Sequence, residues 1–199
     1  MSDNGVNKGR RKFLIGANLV VGSVGAIGAA VPFVSSFSPS AKALAAGAPV
    51  KIDVGKLAPG DILGPFPAWR DKPIFVVKRS EEMLQQLNSR NIRLADPDSH
   101  RQQQPEYARN DTRSIRPDIL VLIGICTHLN CSPKFRPALE PQTFDPNWLG
   151  GFYCPCHGSM FDLAGRVYAG VPAPSNLEVP PHYYESESVI VIGEDGSTV

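Results

Sequence analysis

The chain has 199 residues, enough for one domain of ordinary size with a buried core and an additional tail. Its 20 lysines and arginines nearly balance 19 aspartates and glutamates, and no basic stripe is interleaved with aromatic residues, so a nucleic-acid partner is excluded. The 18 glycines and 19 prolines favour a turn-rich β domain over a helical bundle.

The N-terminal part of the chain has the pattern of a membrane anchor. Residues 13–34 carry no charge, and a helix of that length would measure roughly 33 Å, enough to cross a bilayer. A cleaved secretory signal is the alternative, because small residues at 41–45 resemble a cleavage site, but the apolar core of a signal is usually only about 7 to 15 residues long. The basic residues at 8–12 precede the span and only Lys42 lies close behind it, so the positive-inside rule predicts a cytoplasmic segment 1–12 and an exported remainder.

Two short segments flank this anchor. Residues 10–14, Arg-Arg-Lys-Phe-Leu, resemble a twin-arginine export signal, a motif that gains weight if the cargo must fold around a cofactor before export. Residues 35–49 are small and show no strong periodicity, so they are predicted to form a flexible linker. That linker is either a passive spacer or a hinge for the exported domain.

From residue 50 onward, short β-type runs alternate with turn residues, which is the pattern of an antiparallel β-sandwich. The predicted strands are Val50–Val54, Ile74–Lys78, Ile119–Ile125, Gly151–Cys154, Arg166–Tyr168, Leu177–Val179 and Val189–Ile192. One helix is predicted to start after Ser80 as its N-cap and to end near Asn88. Residues 96–117 are predicted to form a long polar loop, and the fold class is all-β.

Every cysteine of the chain lies in one of two short windows, residues 126–131, Cys-Thr-His-Leu-Asn-Cys, and residues 154–159, Cys-Pro-Cys-His-Gly-Ser. Each window follows a β-type run and holds a Cys and a His. Thiolates combined with imidazoles suit zinc or an iron-sulfur cluster. Zinc is the alternative, but the Cys-x-x-Cys and His-x-x-x-His spacings usual for zinc are absent. The other two histidines, His100 and His182, are expected on the solvated surface.

The paired motifs Cys-x-His-Leu-x-Cys and Cys-Pro-Cys-His-Gly-Ser resemble those of the Rieske iron-sulfur proteins. The resemblance implies one 2Fe-2S cluster with four ligands, Cys126, His128, Cys154 and His157. It also implies a disulfide between Cys131 and Cys156, which requires an oxidising compartment, in agreement with the predicted export. The implied fold is a Rieske-type antiparallel β-sandwich over 50–199, with a small cluster-binding subdomain at about 124–175.

The same resemblance assigns roles to residues around the ligands. Gly158 N–H and the Ser159 hydroxyl would donate hydrogen bonds to sulfur and raise the reduction potential, although Ser159 is alternatively a simple turn residue. Many quinol-oxidising members carry a tyrosine where this chain has Phe161, so a lower potential is expected here. The usual glycine of the first loop is replaced by Asn130, and because asparagine tolerates positive φ the turn should survive.

Two further features resemble parts of the family that meet partners or cover the cluster. Leu129 lies between ligands and is expected to be an exposed docking contact, with burial against the disulfide as the alternative. The segment 170–174, Gly-Val-Pro-Ala-Pro, resembles the family's proline loop over the cluster, with Pro172 and Pro174 at its centre. A rigid turn without a special role is the other interpretation.

Among Rieske proteins, the chain resembles the proteobacterial branch found in ubiquinol-cytochrome c reductase, through its anchor, its linker, the segment around 104–114 and Pro180-Pro181. The resemblance implies an oxidoreductase subunit of the bacterial inner membrane, single-pass, with a periplasmic domain and with cytochrome b, a c-type cytochrome and ubiquinol as partners. His157, assisted by His128, would accept a hydrogen bond from quinol when its imidazole is deprotonated. A Rieske subunit of another exported oxidase, such as arsenite oxidase, is the alternative.

Overall fold

The computed structural model describes residues 5, 7–65, 68–88 and 93–196. It divides into two units, Met1–Ala45 and Ala46–Val199. In the first unit, α1 spans Lys8–Ser35 and every one of its residues is exposed. The side chain of Asn7 caps it by accepting the N–H groups of Gly9 and Arg10 at 3.1 Å. This helix is long and apolar enough to cross a membrane.

The predicted linker is not irregular along its whole length. A second helix, α2, spans Ala41–Ala46, and its start is capped by Ser40, whose hydroxyl accepts the N–H of Ala43 at 3.2 Å. The central part of the predicted flexible linker is therefore a short helix, and the flexibility of the segment stays a prediction. Alanine and leucine are strong helix formers, which explains the helix within a segment of small residues.

The second unit is built from short antiparallel strands. Their bounds are Val50–Asp53 (β1), Ile62–Leu63 (β2), Ala68–Trp69 (β3), Lys72–Lys78 (β4), Ile119–Ile123 (β5), Lys134–Arg136 (β6), Gly151–Tyr153 (β7), Met160–Phe161 (β8), His182–Tyr184 (β9) and Val189–Ile192 (β10). A helix, α3, spans Glu81–Asn88, and a 3₁₀ helix spans Glu106–Ala108. In the described residues the strands form three sheets: β1-β10-β9, β2-β4-β3 with β5 on β4, and β6-β7-β8.

The middle sheet is packed on both faces, because side chains alternate along β4 and β5. Phe75, Val77, Leu120 and Leu122 face a core that also contains Phe152 and Phe161 of the β6-β7-β8 sheet. The intervening residues, such as Ile74 and Val121, face a second core shared with β1 and β10. The layered, all-β antiparallel architecture predicted from the sequence is confirmed, and the β6-β7-β8 sheet forms a separate small layer on top of it.

Two of the predicted strands are wrong. Over Arg166–Tyr168 the chain makes only isolated bridges, from Val167 to Phe161 and from Tyr168 to Leu94. Leu177–Val179 is also not a strand, since its N–H groups bind the carbonyls of Gly165 and Gln103 in separate segments. Both runs are largely buried, and burial alone does not distinguish a strand from irregular backbone that is hydrogen-bonded elsewhere.

The polar segment 96–117 is mostly irregular, as predicted, but some of its polar side chains are buried and bind other parts of the fold. Arg113 is fully buried, and its guanidinium donates to the carbonyl oxygens of Ala164 and Leu177 at 3.0 and 2.8 Å. Burial lowers the pKa of Arg113 to about 10, a value that leaves the group charged at neutral pH. The side chain of Arg113 therefore ties this segment to the turn after β8 and to the irregular stretch before β9.

One histidine was wrongly expected at the surface. His182 exposes only 1% of its area, whereas His100 is exposed as predicted. The Nδ1 of His182 lies 2.8 Å from the carbonyl oxygen of Pro180, and burial lowers the pKa of the ring. The Tyr107 hydroxyl accepts the backbone N–H of His182 at 2.8 Å, a contact between residues distant in sequence that a single chain pattern does not reveal.

Candidate metal centre

The two cysteine-containing windows extend from neighbouring strands of different sheets. The first follows β5 after the short connection Gly124-Ile125, and the second follows β7 directly. The rings of Phe75 on β4 and Phe152 on β7 stack with 6.2 Å between their centroids, which holds the two sheets together just below the loops. Packing of the core thereby brings the loops to the same end of the domain.

Both loops have the same backbone frame. In each, the first residue donates its N–H to the carbonyl of the sixth, at 2.7 Å from Cys126 to Cys131 and at 2.8 Å from Cys154 to Ser159. The fifth residue then donates its N–H to the carbonyl of the first, at 3.1 Å for Asn130 and 2.9 Å for Gly158. The positions of the predicted ligands are thus fixed by main-chain hydrogen bonds within each loop.

The shared frame requires a left-handed residue at its fifth position. Asn130 has φ +61° and Gly158 has φ +75°, so the expectation that asparagine preserves the first turn is confirmed. The hydrogen bond from Gly158 N–H to a sulfur stays a prediction, and in the structure this N–H has a backbone acceptor. That N–H carries one hydrogen, which it donates to the carbonyl of Cys154, and Gly158 therefore serves to close the turn.

The left-handed position gives a direct test of the first loop. Asn130→Gly should leave the free energy of unfolding within about 0.5 kcal/mol of the parent, because glycine adopts positive φ without strain. Asn130→Val should lower it by about 1 to 2 kcal/mol, because a β-branched residue is strained there. Urea unfolding of the two variants measures the difference, and equal midpoints would contradict the assigned turn.

The disulfide between Cys131 and Cys156 is confirmed, and it joins residues 25 positions apart in the two loops. Cys126 and Cys154 remain as free, buried thiols. The sulfur of Cys154 lies within 4.8 Å of both bridged sulfurs. Those three atoms do not form a metal site, because a sulfur in a disulfide offers no thiolate.

The two free thiols lie against each other. Burial raises the pKa of the Cys126 thiol, and the neighbouring Cys154 raises it further. The backbone N–H of His128 and the hydroxyl of Ser159 both donate to the Cys126 sulfur and act in the opposite direction. A pair of buried thiols supplied with hydrogen-bond donors is suited to holding a metal centre. A bound metal cation stabilises the deprotonated thiolates, which are the form that ligates metal.

The two imidazoles of the windows are also adjacent. The rings of His128 and His157 stand perpendicular, with 4.7 Å between their centroids. His157 is exposed, while Nδ1 of His128 is buried and has no hydrogen-bond partner among the described residues. A buried nitrogen without a partner is costly unless it binds something, so the donor set of two thiols and two imidazoles fits a metal centre.

The proline-containing segment lies over these loops and is attached to each of them. The hydroxyl of Ser159 accepts the N–H of Ala173 at 3.0 Å, and the Thr127 hydroxyl donates to the Ser175 carbonyl at 2.7 Å. Ala173 is buried, whereas Pro172 and Pro174 are exposed. We call residues 170–175 the cover loop. No local pattern indicated the role of Thr127, because its partner lies 48 residues away.

Leu129 and Phe161, two side chains near the proposed site, differ in their exposure to solvent. Leu129 exposes 64% of its area, so the alternative of burial against the disulfide is wrong. Phe161 is fully buried in β8, within the same core as Cys126 and Cys154. It therefore lies in the layer that supports the thiols, and the lower potential expected from it stays a prediction.

Known proteins resemble the chain in both units. Residues 1–40 match the family described as "Ubiquitinol-cytochrome C reductase Fe-S subunit TAT signal", and residues 98–181 match the "Rieske [2Fe-2S] domain". The ubiquinol-cytochrome c reductase iron-sulfur subunit of Allochromatium vinosum is 56% identical over 98% of this chain and 93% of its own length. That of Bradyrhizobium diazoefficiens is 39% identical over 92% of this chain and 94% of its own. A mitochondrial Rieske subunit of the cytochrome b-c1 complex from Nicotiana tabacum is 40% identical over 81% of this chain and 52% of its own.

Proposed function

The chain belongs to the family of ubiquinol-cytochrome c reductase iron-sulfur subunits, and on that premise we propose that it takes one electron from quinol and passes it to a c-type cytochrome, with release of a proton. The observation that carries the proposal is the meeting of two loops that place two buried thiols beside two adjacent imidazoles. The activity belongs to an oxidoreductase complex in which this chain is one subunit.

The cofactor is one Rieske-type 2Fe-2S cluster, which accepts and donates single electrons when bound. Its proposed ligands are Cys126, His128, Cys154 and His157. The unpartnered Nδ1 of His128 supports this assignment, as does the disulfide that leaves only two thiols free. Ser159 would stabilise the site by donating to the Cys126 sulfur.

His157 is the residue proposed to meet quinol. It is exposed at the tip of the second loop, whereas His128 is half-buried and both cysteines are buried. An exposed imidazole can accept a hydrogen bond from a quinol hydroxyl, so the proton and the electron would leave the substrate at neighbouring atoms. The buried thiols and the cover loop exclude water from the other side of the site.

Leu129 is the proposed contact with the cytochrome b subunit. In the described part of the second unit it exposes 64% of its area, against 41% for Ile115 and 39% for Tyr107. A large apolar side chain beside a functional loop is a typical docking contact. The c-type cytochrome would receive the electron at the same tip, because His157 is exposed there.

The proposed location is the bacterial inner membrane, crossed once. The basic residues at the start of α1 favour a cytoplasmic N-terminus, and the segment 1–40 matches an export signal. The second unit would then lie in the periplasm, where the oxidising conditions preserve the Cys131–Cys156 bridge.

The segment 35–49 is proposed to act as a hinge that lets the exported domain move between partners. We expect the double variant Ala43→Pro/Ala45→Pro to slow electron transfer to cytochrome c severalfold, because proline breaks α2 and stiffens the backbone. The matched control Ala43→Gln/Ala45→Gln preserves helix propensity and should turn over normally. Stopped-flow reduction of cytochrome c measures the rate, and undiminished turnover with the prolines would contradict the hinge.

Phe161 should make this cluster a milder oxidant than one whose sulfur receives a tyrosine hydroxyl. Phe161→Tyr is expected to raise the reduction potential by roughly 40 mV, since one hydrogen bond contributes about 1 kcal/mol and a tenfold one-electron change is about 59 mV. Phe144→Tyr, which adds a hydroxyl in the separate Trp148 aromatic cluster, should leave the potential unchanged. A redox titration in which Phe161→Tyr also has the parent potential would contradict this expectation.

Electron paramagnetic resonance of the dithionite-reduced membrane protein tests the proposed function as a whole. We expect the signal of a histidine-ligated 2Fe-2S cluster, altered by an inhibitor of the quinol site, and co-purification with a cytochrome b. A zinc protein would give no such signal. A 2Fe-2S signal insensitive to the inhibitor would reject the quinol reaction and leave the cluster assignment intact.

A further inference from the structure

Asn176 follows the cover loop and is fully buried. Its side-chain oxygen accepts the N–H of Val167 at 2.8 Å. Its amide nitrogen donates to the carbonyl of Asp96 at 3.0 Å and to the hydroxyl of Ser99 at 3.3 Å. One buried side chain thus ties the end of the cover loop to two segments that belong to other parts of the fold.

The cover loop in turn reaches the metal centre through Ser159. That hydroxyl accepts the N–H of Ala173 at 3.0 Å and is also within hydrogen-bonding reach of the Cys126 sulfur. A hydroxyl has one hydrogen to donate and two lone pairs that accept. Because the Ala173 N–H occupies a lone pair, the hydrogen of Ser159 is left free to point at sulfur. The position of the loop therefore decides where that hydrogen goes.

We propose that Asn176 is a positioning residue for the cluster: it fixes the cover loop so that the Ala173 N–H orients the Ser159 hydroxyl toward the sulfur of Cys126. The residue touches neither cluster nor substrate and acts through two others. Hydrogen bonds to a ligand sulfur stabilise the reduced state, so Asn176 helps to set the reduction potential from a distance. This inference rests on the proposed function, because it presupposes a cluster on Cys126.

A double-mutant cycle on the reduction potential tests this pathway in the full-length membrane protein. Asn176→Ala and Ser159→Ala should each lower the potential. If Asn176 acts through Ser159, the double variant should have the same potential as Ser159→Ala alone. Additive shifts, or a parent potential in Asn176→Ala, would overturn the proposal. Asn110→Ala is the matched control, since its amide also donates to backbone carbonyls but only within the polar segment 96–117, and it should not change the potential.

Asn176→Asp keeps the proposal testable if Asn176→Ala does not fold, because it retains the acceptor for Val167 N–H and loses only the donors. Its added charge is present with and without Ser159 and therefore cancels in the cycle.

Hydrogen exchange of the Ala173 amide provides a second measurement that needs no bound cluster. Faster exchange in the Asn176 variants is expected, and unchanged protection would overturn the proposal. The spectrum of the parent protein tests the cluster assignment separately.

Discussion

Gly151→Ala is expected to prevent the metal centre from forming. Gly151 begins β7 with φ +140°, and an added Cβ would lie 2.0 Å from the carbonyl oxygen of Phe161 and 2.9 Å from backbone atoms of Asp162. Backbone atoms cannot move aside as a flexible side chain can, so the β7–β8 pair that supports the second ligand loop would have to separate. Together with the strained φ, the loss of stability should be roughly 4 kcal/mol or more.

The matched control for this prediction is Gly170→Ala. Gly170 also has positive φ, at +79°, but nothing lies within 4 Å of its added Cβ. Only the left-handed strain remains there, so a loss of about 1 to 2 kcal/mol is expected. Iron content and the visible spectrum of the purified proteins should show an empty site in Gly151→Ala and a loaded one in Gly170→Ala. Equal cluster occupancy would contradict the steric explanation.

Removal of the disulfide is the second change with a large expected effect. The bridge closes a loop of 25 residues, and the chain-entropy estimate for such a loop is about 3.5 kcal/mol of stability. We expect Cys131→Ala/Cys156→Ala to lower the free energy of unfolding by roughly that amount and to release iron faster to a chelator. The half-buried Cys131 and the exposed Cys156 are the covalent connection between the two ligand loops.

Both cysteines must be replaced together in this experiment. A single substitution would leave a new thiol beside Cys154, whose sulfur lies within 4.8 Å of both bridged sulfurs, and exchange could then remove a ligand. Denaturant unfolding of the double variant, alongside the parent with and without reductant, measures the effect of the bridge. An unchanged midpoint in the double variant would show that the loops are held by their own hydrogen bonds and core contacts.

The cluster loops were the most predictable part of the chain, because their chemistry depends on spacing within a few residues. The disulfide followed from the resemblance of the two motifs to the Rieske family, and the left-handed turn at Asn130 and the exposure of Leu129 followed from their positions in the first motif. The hydrogen bond expected from Gly158 N–H to a sulfur has a local competitor, the carbonyl of Cys154 in the same turn. Local patterns thus identified the loops better than they identified the partner of each donor.

The contacts that support the loops could not be predicted in the same way. Thr127 meets Ser175 across 48 residues, and Asn176 meets Asp96 across 80, so neither pairing leaves a trace in neighbouring sequence. Most strands of two or three residues, such as β6 and β8, also escaped prediction. They are too short to show a period of two, and they exist because the core of the β6-β7-β8 layer orders them.

The shared backbone frame of the two ligand loops has a consequence for the speed of electron exchange. Each frame is closed by its own pair of main-chain hydrogen bonds, and the disulfide joins one to the other. Ligands held in this way keep their positions whichever charge the site carries, so little nuclear rearrangement accompanies a change of oxidation state. A small reorganisation energy lets a brief encounter suffice for transfer, which is what the proposed movement between partners would require.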